Sequence, residues 1–174
     1  MNVIIKLLLL LSCAGFVTSC ILHDKDDCCN IIDIDVDVIV KNKAGKNLLD
    51  SATDNHYVAE DIRLYYLKDS GAYEVYQPYL DAPRHFSILQ TDGETTLRFS
   101  ADWAVRSDKE TTVTLLQWRA GDNTDIDTIY TEMTRIKYSS MTVNKVTYKN
   151  KVVYDASAPP DPARDGLRLV EIVK

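Results

Sequence analysis

Apolar side chains at Ile32, Ile34, Val36, Val38 and Val40 alternate with Asp33, Asp35, Asp37 and Ile39. A period of two is the period of a strand, which sends the first set to a core and the second to water. The three aspartates, about 7 Å from one to the next along such a strand, are too widely spaced to close around one calcium ion and read as a solvated face that protects a sheet edge. Lys43-Ala44-Gly45-Lys46 turns the chain. After a loop over residues 50–60, the run 61–67 predicts a second strand, which Asp69-Ser70-Gly71 folds back onto residues 73–76.

Pro78 and Pro83 bracket a loop, since proline cannot donate to a central ladder, and residues 86–89 form a short strand after it. Asp92-Gly93 is a hairpin signal that leads into residues 95–103, where Leu97, Phe99, Ala101 and Trp103 share one face and Arg98, Ser100 and Asp102 the other. Residues 111–118 are β-branched and aromatic, and 127–136 are their expected antiparallel neighbours across the loop Gly121-Asp122-Asn123. Between Val143 and Val146 the apolar phase slips by one residue, which predicts a bulge at Asn144-Lys145. Asn150-Lys151 turns into a strand at Val152-Val153-Tyr154, a proline-rich loop spans 156–164, and 167–173 closes the domain as the last strand. No segment carries a helical stripe.

About nine or ten short strands with turn signals every 8 to 12 residues or so point to an all-β fold, an antiparallel two-sheet β-sandwich, with a small β-barrel as the alternative. The turn at Gly45-Lys46 followed by Asn47-Leu48-Leu49-Asp50 resembles the opening of immunoglobulin-like and transthyretin-like extracytoplasmic domains. That resemblance implies a fold and carries no functional residue across.

The chain opens differently. Residues 1–6 carry one positive charge at Lys6, an apolar stretch runs over 7–16, and Val17-Thr18-Ser19-Cys20 resembles a bacterial lipobox. The apolar stretch is shorter than the roughly 20 residues a spanning helix needs. The resemblance implies a signal peptide over 1–19 and palmitate-type acyl chains on Cys20, whose buried CH₂ groups, at about 0.8 kcal/mol each, anchor the protein without a spanning helix. The acidic segment Asp24, Lys25, Asp26 and Asp27 resembles the export signal of surface lipoproteins of Bacteroidota, which implies an outer-membrane protein facing the cell exterior; as a bare sequence it is a charged tether. The division is therefore a leader over 1–19, a lipidated acidic tether over 20–30 and one β-sandwich domain over 31–174.

Charge narrows the partners. The chain has 20 Lys and Arg against 26 Asp and Glu, and loss of a leader holding Lys6 alone moves its net charge from −6 to −7. No clustered basic surface exists to release counterions from a phosphate backbone, so nucleic acid is not a partner. A mature chain of about 155 residues buries enough surface to fold without staples. Its remaining cysteines fit that: Cys28 and Cys29 are adjacent, and none stands in the body of the chain. They read as a passive pair or as a point of intermolecular pairing.

Candidate chemistry is sparse. A nucleophilic triad needs a histidine beside a serine or cysteine, yet the mature chain offers only His23, His56 and His85, with no GxSxG elbow and no HExxH pair. His56 and His85 read as solvated loop residues. Asp122-Asn123-Thr124-Asp125-Ile126-Asp127 has oxygens for calcium but lacks the glycine and terminal glutamate of an EF-hand loop, and reads as a polar hairpin. No catalytic residue, metal site or cofactor is assigned. Asp50-Ser51-Ala52 and Asp127-Thr128-Ile129 resemble the short sequence O-glycosylated in envelope proteins of Bacteroidota, which implies Ser51 and Thr128 as acceptors.

Tyr65, Tyr66, Tyr73, Tyr76 and Tyr79 crowd one hairpin and form the candidate binding platform, for stacking on sugar rings or packing on a protein. Core packing is the other use of strand tyrosines, and Tyr65 and Tyr66, as neighbours, must point to opposite faces. The expectation is a non-enzymatic surface lipoprotein that is held to the membrane by its lipid and binds a protein or glycan or serves envelope assembly. A small carbohydrate-active enzyme or glycan-binding accessory subunit is the alternative.

Overall fold

Eleven strands and one 3₁₀ turn (Ala59–Asp61) make up the regular structure of the described residues, and no α-helix is among them. The computed structural model describes residues 31–91, 93–104, 109–136, 140–159 and 167–174. Cys20, Asp24, Lys25, Asp26, Asp27, Cys28 and Cys29 lie outside these, as do most of the proline-rich loop and Asp92.

The strands are β1 (Ile32–Asp33), β2 (Asp35–Lys41), β3 (Arg63–Lys68), β4 (Gly71–Glu74), β5 (Phe86–Thr91), β6 (Glu94–Ser100), β7 (Lys109–Gln117), β8 (Ile126–Ile136), β9 (Ser140–Tyr148), β10 (Lys151–Asp155) and β11 (Leu169–Val173). They build two sheets. The larger runs β1-β9-β8-β7-β3-β4, with β10 sharing the β9 edge with β1, and the smaller runs β11-β2-β6-β5. Neither closes into a barrel, and the fold is sandwich-like.

The sheets are mixed rather than antiparallel. β1 lies parallel to β9 and β11 parallel to β2, while the remaining ladders are antiparallel. Both parallel partners are far apart in sequence, so no hairpin dictates their direction. The alternating run 32–40 is also not one strand: β1 pairs in the large sheet, β2 in the small one, and between them the Ile34 carbonyl accepts from the Ala101 N–H at 3.0 Å.

Period two decides burial within each element. Val36, Val38 and Val40 face Leu97, Phe99, Val170 and Ile172 across the small sheet's inner side, all fully buried. Ile62, Leu64, Leu116, Trp118, Ile129, Met133, Val143 and Val146 supply the large sheet's share of the same core. The predicted bulge is present. Glu132 pairs with Lys145 and Met133 with Val143, which leaves Asn144 unopposed and keeps both Val143 and Val146 buried.

Several sequence expectations are corrected. Ile32 is 62 % exposed, because β1 ends on an open edge, and Ile39 is buried on the outward side of β2. β2 is flanked by β11 and β6, so Asp35 and Asp37 guard no edge; Asp37 instead takes a two-pronged bond from Arg98 (2.8 and 3.0 Å) and Asp35 accepts from Ser100 Oγ, while Asp33, on the edge strand β1, pairs with Arg168. The Lys149-Asn150 pair, both at positive φ, turns β9 into β10, the geometry of a type I′ hairpin.

One buried polar network ties distant parts together. The Asp127 carboxylate accepts from Trp118 Nε1 (2.7 Å), Tyr148 Oη (2.6 Å) and Lys174 Nζ (2.6 Å). Lys174 also reaches Asp125, which accepts from Tyr57 Oη at 2.8 Å. Burial pushes the Asp127 carboxyl up, and these three donors outweigh it, so its pKa lies below the ordinary carboxylate value.

Candidate functional site

The five tyrosines divide by strand parity. Tyr66 turns inward from β3 and is buried, its hydroxyl donating to the Ser100 carbonyl at 2.8 Å and standing 3.1 Å from His85 Nδ1. Tyr65 turns outward, with its hydroxyl 3.3 Å from Gln117 Oε1. Tyr73 is the ladder partner of Tyr66, yet it is exposed because β4 is the sheet's last strand. Tyr76 and Tyr79 follow on the loop and are exposed too. The exposed members of the five are therefore Tyr73, Tyr76 and Tyr79.

His85 is where the sequence reading fails most. It is buried, not solvated, and holds φ +54°, a conformation a side-chain-bearing residue adopts only when its surroundings over-determine it. Those surroundings are visible. Its N–H donates to the Ala82 carbonyl, its carbonyl accepts from the Ser100 N–H, its Nδ1 meets Tyr66 and its ring stacks on Trp103 at 4.7 Å and 25°. Burial lowers its pKa against the opposing pull of Asp102, so the ring is neutral at neutral pH. Its Nε2 is buried with no hydrogen-bond partner among the described residues.

Trp103 is corrected as well. Period two placed it in the core with Ala101, but β6 stops at Ser100 and the Asp102 carboxylate accepts the Ala104 N–H at 3.1 Å, an Asx turn that breaks the alternation. The indole is left 41 % exposed with one face on His85. Asp102 also forms an ion pair with Lys68, which fixes the turn to β3.

Two hollows flank this pair. The larger, of about 390 Å³, has Leu80, Phe86 and Trp103 in its apolar part and Asp35, Asp81 and Ser100 among its polar groups. The smaller, of about 210 Å³, is bounded by Tyr66, Lys68, Tyr73, Tyr76, Asp102 and Trp103. Arg84 lies over the Tyr76 ring, 5.0 Å from its centre, and bonds Glu74 at 2.7 Å, which ties the loop after β4 to that strand.

Compared with known proteins, the chain matches no family model, no curated protein and no solved structure. The arrangement must speak for itself. His85 Nδ1 is turned to a tyrosine, and the Ser100 hydroxyl to Asp35, so the histidine and the serine are not paired with one another. What the cluster does offer is an aromatic surface beside hydrogen-bonding groups.

The other assigned residues stand apart. Ser51 lies on an exposed turn whose Asp50 carboxylate accepts the Ala52 N–H, while Thr128 is half-buried in β8 opposite Leu115. The Asp122 carboxylate is engaged by Thr124, and Asp125 and Asp127 by the network around Lys174. His56 is half-buried with its ring 3.1 Å from the Thr53 carbonyl.

The signal for Trp103 was weak but present: an aspartate immediately before it can cap its own turn. Nothing local announces His85, whose partners come from β3 and β6. If Tyr66 fixes His85 and thereby Trp103, Tyr66→Phe removes the hydroxyl that links His85 Nδ1 to the Ser100 carbonyl and leaves that carbonyl without this donor. The expected cost is about 1–3 kcal/mol in urea unfolding, with a red-shifted, more quenchable Trp103 emission. Unchanged stability and emission would show that Trp103 is held without it.

Proposed function

We propose that this is an outer-membrane lipoprotein of the cell surface whose body is a non-enzymatic binding module. In this reading acyl chains on Cys20 hold the chain, Asp24, Lys25, Asp26 and Asp27 direct it outward, and the body is an immunoglobulin-like or transthyretin-like sandwich. The passage of the opening strand from one sheet to the other at Ile34 supports that fold, and the acidic balance of the chain is consistent with a partner other than nucleic acid. No helix among the described residues is long and apolar enough to cross a membrane, which is compatible with an acyl anchor.

One observation carries the binding role. Tyr73, Tyr76 and Trp103 stand exposed around one hollow at the open edge of the large sheet, with Tyr79 on the same loop. Rigid aromatics left in water beside a concavity are a recognition feature more than a packing one. A pull-down with the intact acylated protein tests it: the wild type should retain an envelope component that the Tyr73→Ala, Tyr76→Ala, Trp103→Ala triple variant loses. Equal retention would end the reading.

The anchor and the export signal have their own checks. Mass spectrometry of the membrane-extracted protein should find an acylated Cys20 at the amino terminus, and Cys20→Ala should release it from the membrane. Neutral residues at 24–27 should abolish cleavage by protease added to intact cells, whereas continued cleavage would remove the export role.

A second reading, a small carbohydrate-active enzyme, is favoured by Asp35 and Asp81 lining one aromatic hollow. Release of reducing ends that Asp35→Asn abolishes would put it in place of the binding module.

A further inference from the structure

We infer that the larger hollow beside Trp103 is a binding site for a neutral saccharide. The inference rests on the binding reading above and names the ligand class for this edge of the body. Four features of the hollow lead to it.

The first is the division of its lining. Leu80, Phe86 and Trp103 give an apolar surface, and Asp35, Asp81 and Ser100 give hydrogen-bonding groups beside it. A pyranose is built the same way, with C–H groups on its ring faces and hydroxyls around its rim. A purely apolar ligand seated over the hollow would strip water from these polar groups and give them no partner in return.

The second is the rigidity of the aromatic. Trp103 has one face on His85, which is itself held through its backbone N–H, its carbonyl, its Nδ1 and its left-handed φ. An indole fixed in this way loses little freedom when a ring packs on its remaining surface. Here the strained histidine acquires a use: it is a positioning residue for Trp103.

Third is the charge. Arg98 also lines the hollow, but both prongs of its guanidinium bond are taken by Asp37, at 2.8 and 3.0 Å. Among the described residues neither Asp35 nor Asp81 accepts a guanidinium hydrogen bond through its carboxylate, so their two charges leave the rim anionic in a chain already at −6. Uronic and sialic acids would meet like charge, while the hydroxyls of a neutral sugar donate well to carboxylates.

Fourth is arrangement and size. Ser100 Oγ donates to Asp35 Oδ1 at 2.8 Å directly across the β2–β6 ladder, so a hydroxyl and a carboxylate are presented side by side on a rigid sheet. With its proton committed to Asp35, the Ser100 oxygen is an acceptor beside the carboxylate, and two adjacent acceptors suit the vicinal hydroxyls of a sugar. The volume, about 390 Å³, lies in the range of small-molecule sites, roughly 300–1,000 Å³.

The chain carries its own reporter. Its two tryptophans are Trp118, fully buried, and Trp103, so a ligand in the hollow should move the emission of Trp103 alone. The full acylated chain in detergent is titrated with maltohexaose, cellohexaose, xylohexaose, mannohexaose and N-acetylchitohexaose, and with oligogalacturonate as the anionic probe. At least one neutral oligosaccharide should give a saturable shift. Trp103→Ala, followed by calorimetry, and Asp35→Asn should each weaken that binding at least tenfold, and oligogalacturonate should bind at least tenfold more weakly. Asp35 is exposed and on the sheet's outer side, so its variant keeps the test open if Trp103→Ala fails to fold.

Preference for the anionic probe, or neutral binding indifferent to both substitutions, would overturn the inference. So would silence from every saccharide while the pull-down still retains an aromatic-dependent protein, an outcome that leaves the binding module standing. Retention of saccharide binding with loss of the envelope partner would do the reverse.

Discussion

Asp127→Ala should be among the most damaging single substitutions in the body of the chain. The carboxylate is buried at the junction of β8 with β7 and β9 and holds three donors: the Trp118 indole, the Tyr148 hydroxyl and the Lys174 ammonium. Its removal strands two buried donors and deprives a partly covered lysine of one of its two carboxylates. A buried pair broken on one side costs about 3–5 kcal/mol, and Lys174 keeps Asp125, so the lower part of that range is expected. Against a domain stability of about 5–15 kcal/mol, this lowers the melting temperature by on the order of 10 °C or more. A melt within two or three degrees of wild type would mean that the network is ornamental.

The same carboxylate sets an acid limit. Its folded pKa lies below the unfolded value of about 3.9, because its three donors outweigh burial. Below the unfolded pKa the unfolded chain binds a proton that the folded chain does not, so stability rises with pH there. The contribution is fully present above about pH 5 and fades as pH falls through the unfolded and then the folded pKa. Urea midpoints taken from pH 6 down to pH 2.5 should therefore fall more steeply for wild type than for Asp127→Asn. Parallel curves would assign the acid limb to other groups, such as Asp33, whose carboxyl is also held low, chiefly by its bond to Arg168.

Asp127 shows what a sequence does and does not disclose. Its parity with Ile129 and Met133 already puts it on the inward side of its strand, so a buried acid was legible. Its partners were not, because Lys174 is 47 positions away and reaches it only through the parallel pairing of β11 with β2. The same division holds throughout. Alternation and turn chemistry gave the strands, the β3–β4, β5–β6 and β7–β8 neighbours, and the separation of Tyr65 from Tyr66, all of which are local. Parallel pairing, the transfer of the chain between sheets at Ile34 and the burial of His85 are set by contacts between segments far apart, on which a period of two is silent. Ile39 and Trp103 mark the limit from the other side. Each followed the wrong face because alternation counts residues, not the neighbours that cover or expose them.

Deletion of Thr147 should be far worse than deletion of Asn144, although each removes one residue from β9. Upstream of Asn144 the inward residues are Met141 and Val143; downstream they are Val146 and Tyr148, and the unopposed Asn144 is the extra residue between the two parities. Without Asn144, Lys145 follows Val143 directly, so a continuous ladder keeps Met133 on Val143, Glu132 on Lys145 and Thr131 on Val146, and every inward residue stays inward. The losses are the side-chain bond to Thr134 and the bond that the Asn144 carbonyl accepts from the Ala156 N–H, so about 1–3 kcal/mol is expected. Loss of Thr147 has no such remedy. With the bulge kept, Tyr148 turns to water and Asp127 loses its hydroxyl; with the bulge closed, Tyr148 returns inward but Val146 turns out and Lys145 turns in. Either course costs more than about 5 kcal/mol, enough to leave little folded protein at 37 °C. Far-ultraviolet circular dichroism and thermal melting of the two deletion variants separate the parity of the strand from its length. An Asn144 deletion that melts as low as the Thr147 deletion would show that the bulge itself, and not only the parity it reconciles, holds the two halves of the strand to one core.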